Sequence, residues 1–204
     1  MPGQFFHQIF GDVARSLQDE AGSRASYARL EAPSDTPPDR LTERELGFLA
    51  QRDSLFIASV TQTGWPYVQH RGGPQGFVRH LGGNRIGFPA YQGNAQYISA
   101  GNLTADARVA LIMLDYPTRR RLKLIGHAQI VRVGADPAWP PPAEAAGDAV
   151  LAAMVIDVIG YDWNCPKYIT PRFTRDELDG EMAALALENT QLREQLARLQ
   201  ENRQ

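Results

Sequence analysis

The sequence predicts a mainly β, α+β chain: a small closed or split antiparallel β-barrel with marginal helices and a coiled-coil-like helix at its C-terminal end. Two observations carry this. About six short apolar, β-branched runs follow one another between residues 55 and 161, separated by Gly-containing turns. Helical spacing of apolar residues appears only before residue 51, in brief stretches between strands, and after residue 181. A strand meander with helices at its edges closes most simply on itself.

Each element has its own local signal. Residues 4–30 predict one or two helices, because Phe6, Ile9, Phe10, Val13 and Leu17 form one apolar stripe. The prolines of APSDTPPD, residues 32–39, end that pattern and make a linker. Thr42 with Glu45 is a capping box for a helix over 43–51 that buries Leu46 and Leu49. Residues 55–61 read as a strand, turning at Thr63-Gly64 into a second over 66–70. Residues 77–80 and 85–88 form a further pair around Gly82-Gly83-Asn84. Residues 97–103 predict one or two helical turns. The apolar run 108–114 predicts a strand buried on both faces. Residues 121–133 predict a long strand with a bend or bulge at Gly126. A proline-rich loop (136–142), a helix (144–153) and a last strand (154–161) complete the domain.

In the tail, Met182, Leu185, Asn189, Leu192, Leu196 and Leu199 alternate steps of three and four, the spacing of a coiled-coil seam. Asn189 on that seam favours two paired strands. The alternative is a single amphipathic helix folded back on the barrel. The domain reading is therefore an N-terminal helical segment and linker (1–40), a barrel domain (41–175) and a C-terminal helix (176–204).

Bulk properties exclude several classes. The formal net charge of −2 does not fit a general nucleic-acid binder. One cysteine excludes an internal disulfide framework and fits a reducing, cytoplasmic setting. No run approaches the roughly 18 apolar residues of a membrane-spanning helix, and the first residues lack a secretory pattern. The four histidines show no metal-ligand spacing.

Residues able to carry chemistry gather in a few places. Gly93-Asn94 is a turn whose backbone N–H groups can converge on an anion, or simply an ordinary strand-to-helix turn. Arg119, Arg120 and Arg121 with Lys123 form the one dense cationic block. Strand alternation places Arg119, Arg121 and Lys123 on one face and Arg120 on the other. Arg121 and Lys123, where the strand enters the barrel, are the better placed for ligand contact, with Arg119 and Arg120 for a subunit interface, and the alternative is a solvated loop. His70, Arg71 and Gly72 end a strand at which a flat ligand can approach the backbone. Trp163 can stack on a ring system, with Lys167 and Arg172 pairing an acid or phosphate. Equally, Trp163 and Tyr168 can anchor the chain end.

Several ordered motifs together carry a resemblance. QGNAQYISAGNL from Gln92, DYPTRRRLKLIG from Asp115, HRGGPQGF from His70 and WNCPKYITPR from Trp163 are the strongest, with FFHQ weaker at the N-terminal end. The chain resembles the flavin-binding split barrels related to pyridoxamine 5′-phosphate oxidase, in particular a bacterial branch reading GNRQYISxGNL and DYPxRRRLKxxG. The resemblance implies bound FMN at the interface of a homodimer with a composite ligand site. It also implies flavin contacts from His70, Arg71 and Gly72, from the backbone of Phe88 and Pro89, and from Gly93, Asn94, Gln96 and Asn102. WNCPKYITPR replaces the substrate-binding signature of the authentic oxidase, so an activity other than pyridoxamine oxidation is expected. One departure stands out: Ala95 occupies the position of the branch's usual arginine. A lost arginine–phosphate contact, worth about 1.5–3 kcal/mol, would weaken flavin affinity on the order of tenfold to a hundredfold. Arg71, Arg121 or Lys123 are the candidates to compensate.

These readings converge on an FMN-dependent oxidoreductase of unknown substrate. The alternatives are a non-catalytic flavin- or haem-binding module, acting as sensor or carrier, and a flavin-free dimeric scaffold.

Overall fold

In the computed structural model the described residues are 3–91, 95–132, 150–163 and 166–201. The predicted Gly93-Asn94 turn, the 136–142 loop and most of the predicted 144–153 helix lie outside them. The chain divides into two compact units, Met1–Asp115 with Arg120–Pro166, and Tyr116–Arg119 with Lys167–Gln204.

The first unit begins with three short helices, α1 (Gln4–Ile9), α2 (Asp12–Glu20) and α3 (Arg24–Ala28). The apolar stripe predicted here is largely on the surface, since Ile9, Val13 and Leu17 are exposed. What fastens the segment is Asp39, in the proline-rich linker. Its carboxylate accepts from the backbone N–H groups of Gln4 at 2.7 Å, Phe5 at 3.2 Å and Tyr161 at 3.3 Å. Helix α4 (Glu43–Leu49) starts at the predicted Thr42–Glu45 capping box. It buries Glu45, Phe48 and Leu49, while Leu46 is only partly buried.

Among the described residues, seven antiparallel strands form one sheet: β1 (Ser54–Val60), β2 (Pro66–Gly72), β3 (Arg79–His80), β4 (Arg85–Tyr91), β5 (Arg108–Asp115), β6 (Arg120–Arg132) and β7 (Val150–Trp163). Helix α5 (Ile98–Ala105) lies between β4 and β5 in sequence. The strand order is β2-β1-β5-β6-β7-β4-β3. This is the expected split-barrel architecture, mainly β, with a sheet that does not close. It is not the simple meander of about six strands that sequence suggests, because β4 pairs with β7 and not with β5. Such a crossover leaves no trace in local periodicity.

Two strand expectations are refined and a third is met. Strand β5 alternates buried and more exposed positions and is not covered on both faces: Val109, Leu111 and Met113 point into the core while Arg108 and Ala110 are exposed. Residues 150–153 belong to β7 and not to a helix, because Ala152 and Ala153 pair with Arg132 and Val131 of β6. On β6 the register shifts between Ile125 and Gly126, the predicted bulge. A Cβ on Gly126 would lie 2.4 Å from the Asp157 carbonyl oxygen, so only glycine fits there. The core collects the inward side chains of β1, β4, β5, β6 and β7 around Met113, Leu122, Leu124, Ile86 and Ile156, none of them measurably exposed. In the second unit, α6 (Arg175–Glu201) is one uninterrupted helix.

Candidate functional site

Strand β2 has one residue in two facing inward, and Tyr67, Gln69 and Arg71 line a cavity of about 300 Å³. Phe88 and Ala90 of β4 form its opposite wall, Met154 of β7 and Ile130 of β6 its apolar floor, and residues 95–100 its rim. Strands β2 and β4 stand first and sixth in the sheet yet share this cavity, so the sheet curls round on itself, and the first turn of α5 adds Ile98, Ser99 and Ala100 to the lining. The volume is at the lower end of the roughly 300–1,000 Å³ of small-molecule sites.

A polar knot holds the cationic side. The Gln69 side-chain oxygen accepts from Tyr67 Oη at 3.2 Å, Arg71 Nη2 at 3.0 Å and Ser99 Oγ at 2.9 Å. Arg71 Nη2 also donates to Ser99 Oγ at 3.1 Å, tying β2 to the first turn of α5. Arg71 Nε is buried and makes no hydrogen bond among the described residues. Burial pulls the Arg71 guanidinium below its ordinary pKa, while nearby Tyr67 pulls the other way. An arginine nonetheless stays charged at neutral pH. A positioned cation with an unmet N–H, facing an apolar wall, suits a ligand with one anionic end and one flat apolar end.

The rim has an unusual backbone. Ala95 (φ 56°) and Tyr97 (φ 51°) both adopt the left-handed region, which costs a non-glycine residue about 1–2 kcal/mol. Tyr97 is also the N-cap of α5 and is 75% exposed. Asn102, one turn further on, is buried and donates from Nδ2 to Ser59 Oγ at 2.9 Å. It pins α5 to β1 behind the cavity and does not line it.

The cavity therefore brings together Arg71, Phe88 and Gln96 of the sequence candidates. Gly72 adjoins Arg71 at the end of β2. His70 has the opposite parity on β2, is exposed, and packs against Phe56 with ring centroids 5.4 Å apart. Pro89 is buried in β4 opposite Ala153. It lies beyond the short β3, where β4 has one neighbour and a missing N–H costs least. Gly93 and Asn94 lie outside the described residues.

The cationic hairpin is largely committed elsewhere. Lys123 Nζ pairs with Asp162 at 2.8 Å and sits 5.0 Å from the centre of the Phe5 ring. Arg121 is half-buried, and its Nε has no hydrogen-bond partner among the described residues. Arg119 adopts φ 55° before β6 begins, so the strand alternation expected to include it starts one residue later. Arg120 lies over the rings of Trp163 and Phe48. Trp163 packs edge-on against Phe48 at 4.9 Å, with Arg44 above it. Arg172, in the second unit, is exposed and stacks on Tyr116 at 4.9 Å.

Sequence reasoning missed Tyr67, Gln69 and Ser99. The first two were within reach, since strand periodicity counted back from Arg71 selects Gln69 and Tyr67. Ser99 is brought in only by the close approach of α5 to β2, which no local pattern encodes. Among the described residues, no group of three or more His, Cys, Asp or Glu could hold a metal ion. None of their helices is long and apolar enough to cross a membrane.

A family model described as pyridoxamine 5′-phosphate oxidase matches residues 41–153, more than half of the chain. No functionally curated protein matches. Solved structures with a similar fold include HupZ of Group A Streptococcus, 14% identical, covering 65% of this chain and 100% of that one at a TM-score of 0.46. A protein of Clostridium acetobutylicum related to general stress protein 26, of the pyridoxinephosphate oxidase family, is 14% identical, with coverage of 67% and 99% and a TM-score of 0.43. A conserved hypothetical protein of Mycobacterium tuberculosis is 17% identical, with coverage of 70% and 96% and a TM-score of 0.45.

Proposed function

We infer a function from one premise: this chain belongs to the pyridoxamine 5′-phosphate oxidase family. The reading it supports is an FMN-dependent oxidoreductase of that class, with the flavin in the cavity beside Arg71. The observation that carries it is the buried Arg71 Nε without a partner, on a guanidinium already oriented by Gln69 and Ser99. Arg71 and Ser99 would hold the phosphate end, while Phe88, Ile130 and Met154 would meet the apolar ring. Bound FMN supplies the hydride or electron transfer, and the protein supplies orientation and a wall that excludes water. The substrate is set by groups beyond fold and cofactor, so none is named.

The reading extends to a symmetric homodimer. On the outer face of β1 and β2, Phe56, Val60 and Val68 are 39%, 37% and 63% exposed, beside the outward residues of β5. A second copy covering this apolar patch would remove it from water, and Arg121 of its 119–123 hairpin, whose Nε is unmet among the described residues, would complete a composite ligand site. Ala95 favours one other reading, a weakly binding carrier or sensor, because it offers the phosphate no charged partner.

Titration of the apoprotein with FMN, FAD and riboflavin tests the assignment. FMN is expected to bind most tightly, and equal affinity for riboflavin would remove the phosphate from the site. The colour of the purified protein separates the alternatives: a flavin band supports the oxidoreductase, a Soret band the haem module, and neither the scaffold. Sedimentation of a chain ending at residue 180 tests the shared site. It should remain dimeric, and a monomer binding FMN stoichiometrically would refute it.

A further inference from the structure

We propose that α6 pairs with α6 of a second copy as a parallel, in-register, two-stranded coiled coil, independently of whether the cavity binds FMN. Helix α6 runs unbroken for 27 residues, about 40 Å at 1.5 Å per residue. Its start is built into the chain. Thr174 and Glu177 form a capping box, with Glu177 Oε2 accepting from Thr174 N at 2.8 Å and Oγ1 at 2.9 Å, and Glu177 N donating back to Thr174 Oγ1 at 3.3 Å. Most helical stability in proteins comes from packing an amphipathic face.

The face to be packed is explicit. Leu178, Met182, Leu185, Leu192 and Leu196 are 45%, 68%, 62%, 52% and 59% exposed. With Asn189 they fall on one seam, Met182, Asn189 and Leu196 at a positions and Leu178, Leu185 and Leu192 at d. Leucine at every one of these d positions, with one asparagine at a, is the pattern that selects two strands in register.

Charge complementarity then fixes the partner and its direction. In this register Glu188 is at g and Arg193 at the following e. They are five residues apart, one beyond the reach of a pair on the same helix. Across a parallel homodimer each Glu188 faces Arg193 of the second copy, giving two attractive pairs by symmetry. In an antiparallel pair g faces g, and the g residues Glu181, Glu188 and Gln195 offer one another no cation. Leu187, 62% exposed, lies at the outward f position and takes no part.

Cysteine cross-linking of the full chain in a Cys165→Ser background tests this. Leu178→Cys, Leu192→Cys and, as outward control, Leu187→Cys are oxidised separately and run without reductant. Both seam positions should form covalent dimers on the order of tenfold faster than the control, since pairing raises their effective concentration. An antiparallel pair can bring at most one of the two seam positions to its twofold centre, and a helix folded back on its own chain brings neither. Equal rates at all three sites would mean mere proximity of two tails, and each of these outcomes overturns the proposal. Glu188→Arg should slow the Leu192→Cys reaction severalfold, and adding Arg193→Glu should restore it. These surface exchanges leave the fold untouched, so an unchanged rate in the single variant would also count against it.

Discussion

The indole Nε1 of Trp163 donates to Glu45 Oε1 at 2.7 Å, so the last residue of β7 is fastened to the first turn of α4. Glu45 is only 2% exposed, and its carboxylate also accepts from the backbone N–H and hydroxyl of Thr42. Burial by itself pushes this carboxyl up, but the bonds from Thr42 and Trp163 outweigh it and hold the group below the usual carboxylate range. A carboxyl depressed in the folded state stabilises the fold above its unfolded pKa, and that contribution is lost as pH falls through the folded value. Trp163→Phe keeps a ring against Phe48 and removes the donor. It should cost about 1–3 kcal/mol at neutral pH. Because the folded pKa of Glu45 then rises, acid unfolding should begin at a higher pH. Urea denaturation across a pH series checks both effects, and an unchanged acid limb would show that the bond contributes nothing.

Arg71→Lys separates geometry from charge at the cavity. Lysine keeps the positive charge and loses the planar fork that contacts Gln69 and Ser99. FMN affinity should fall about tenfold, equivalent to roughly 1.4 kcal/mol, with riboflavin affinity unchanged. Calorimetric titration of both ligands is the measurement. A parallel loss for riboflavin would assign Arg71 to the ring or to the fold.

Ala95→Arg should strengthen flavin retention. Ala95 is exposed at the cavity rim and already in the left-handed region, so arginine there adds no new backbone strain. A charge-assisted contact to phosphate is worth about 1.5–3 kcal/mol. Flavin occupancy after gel filtration should rise accordingly, and unchanged occupancy would show that Arg71 or Arg121 already satisfies the phosphate.

Gly126→Ala tests the bulge on β6. Its new methyl would meet the Asp157 carbonyl oxygen at 2.4 Å and Ile156 Cγ2 at 3.0 Å, so backbone has to move. The expected cost is about 1–3 kcal/mol, read as a lower denaturation midpoint at unchanged slope. A neutral result would mean that the strand relaxes freely at this point.

The hairpins, the capping box of α4 and the bulge were legible because each is written in a few neighbouring residues. The opening of β7 was not: Ala152 and Ala153 carry little strand preference, and it is pairing with β6 and β4 that makes them extended. The motif around Arg71 singles it out, and it lines the cavity, but its neighbour His70 has the opposite parity. Lys123 reads in sequence as a ligand candidate, whereas the fold sets it against Asp162 of the adjacent strand. Sequence displays a residue's chemistry, whereas its availability depends on which strand lies beside it.

The position of β7 between β6 and β4 also orders events during synthesis. β3 and β4 come early in the chain, yet the strand that pairs with β4 is the last of the described strands in sequence. Until residues 150–163 emerge, Ile86 and Phe88 have no β7 to pair with, and the growing chain carries an apolar hairpin with an open edge. Sheet completion thus waits on long-range contacts, which are slow to form. A nascent chain stopped before residue 150 would leave that edge of β4 open.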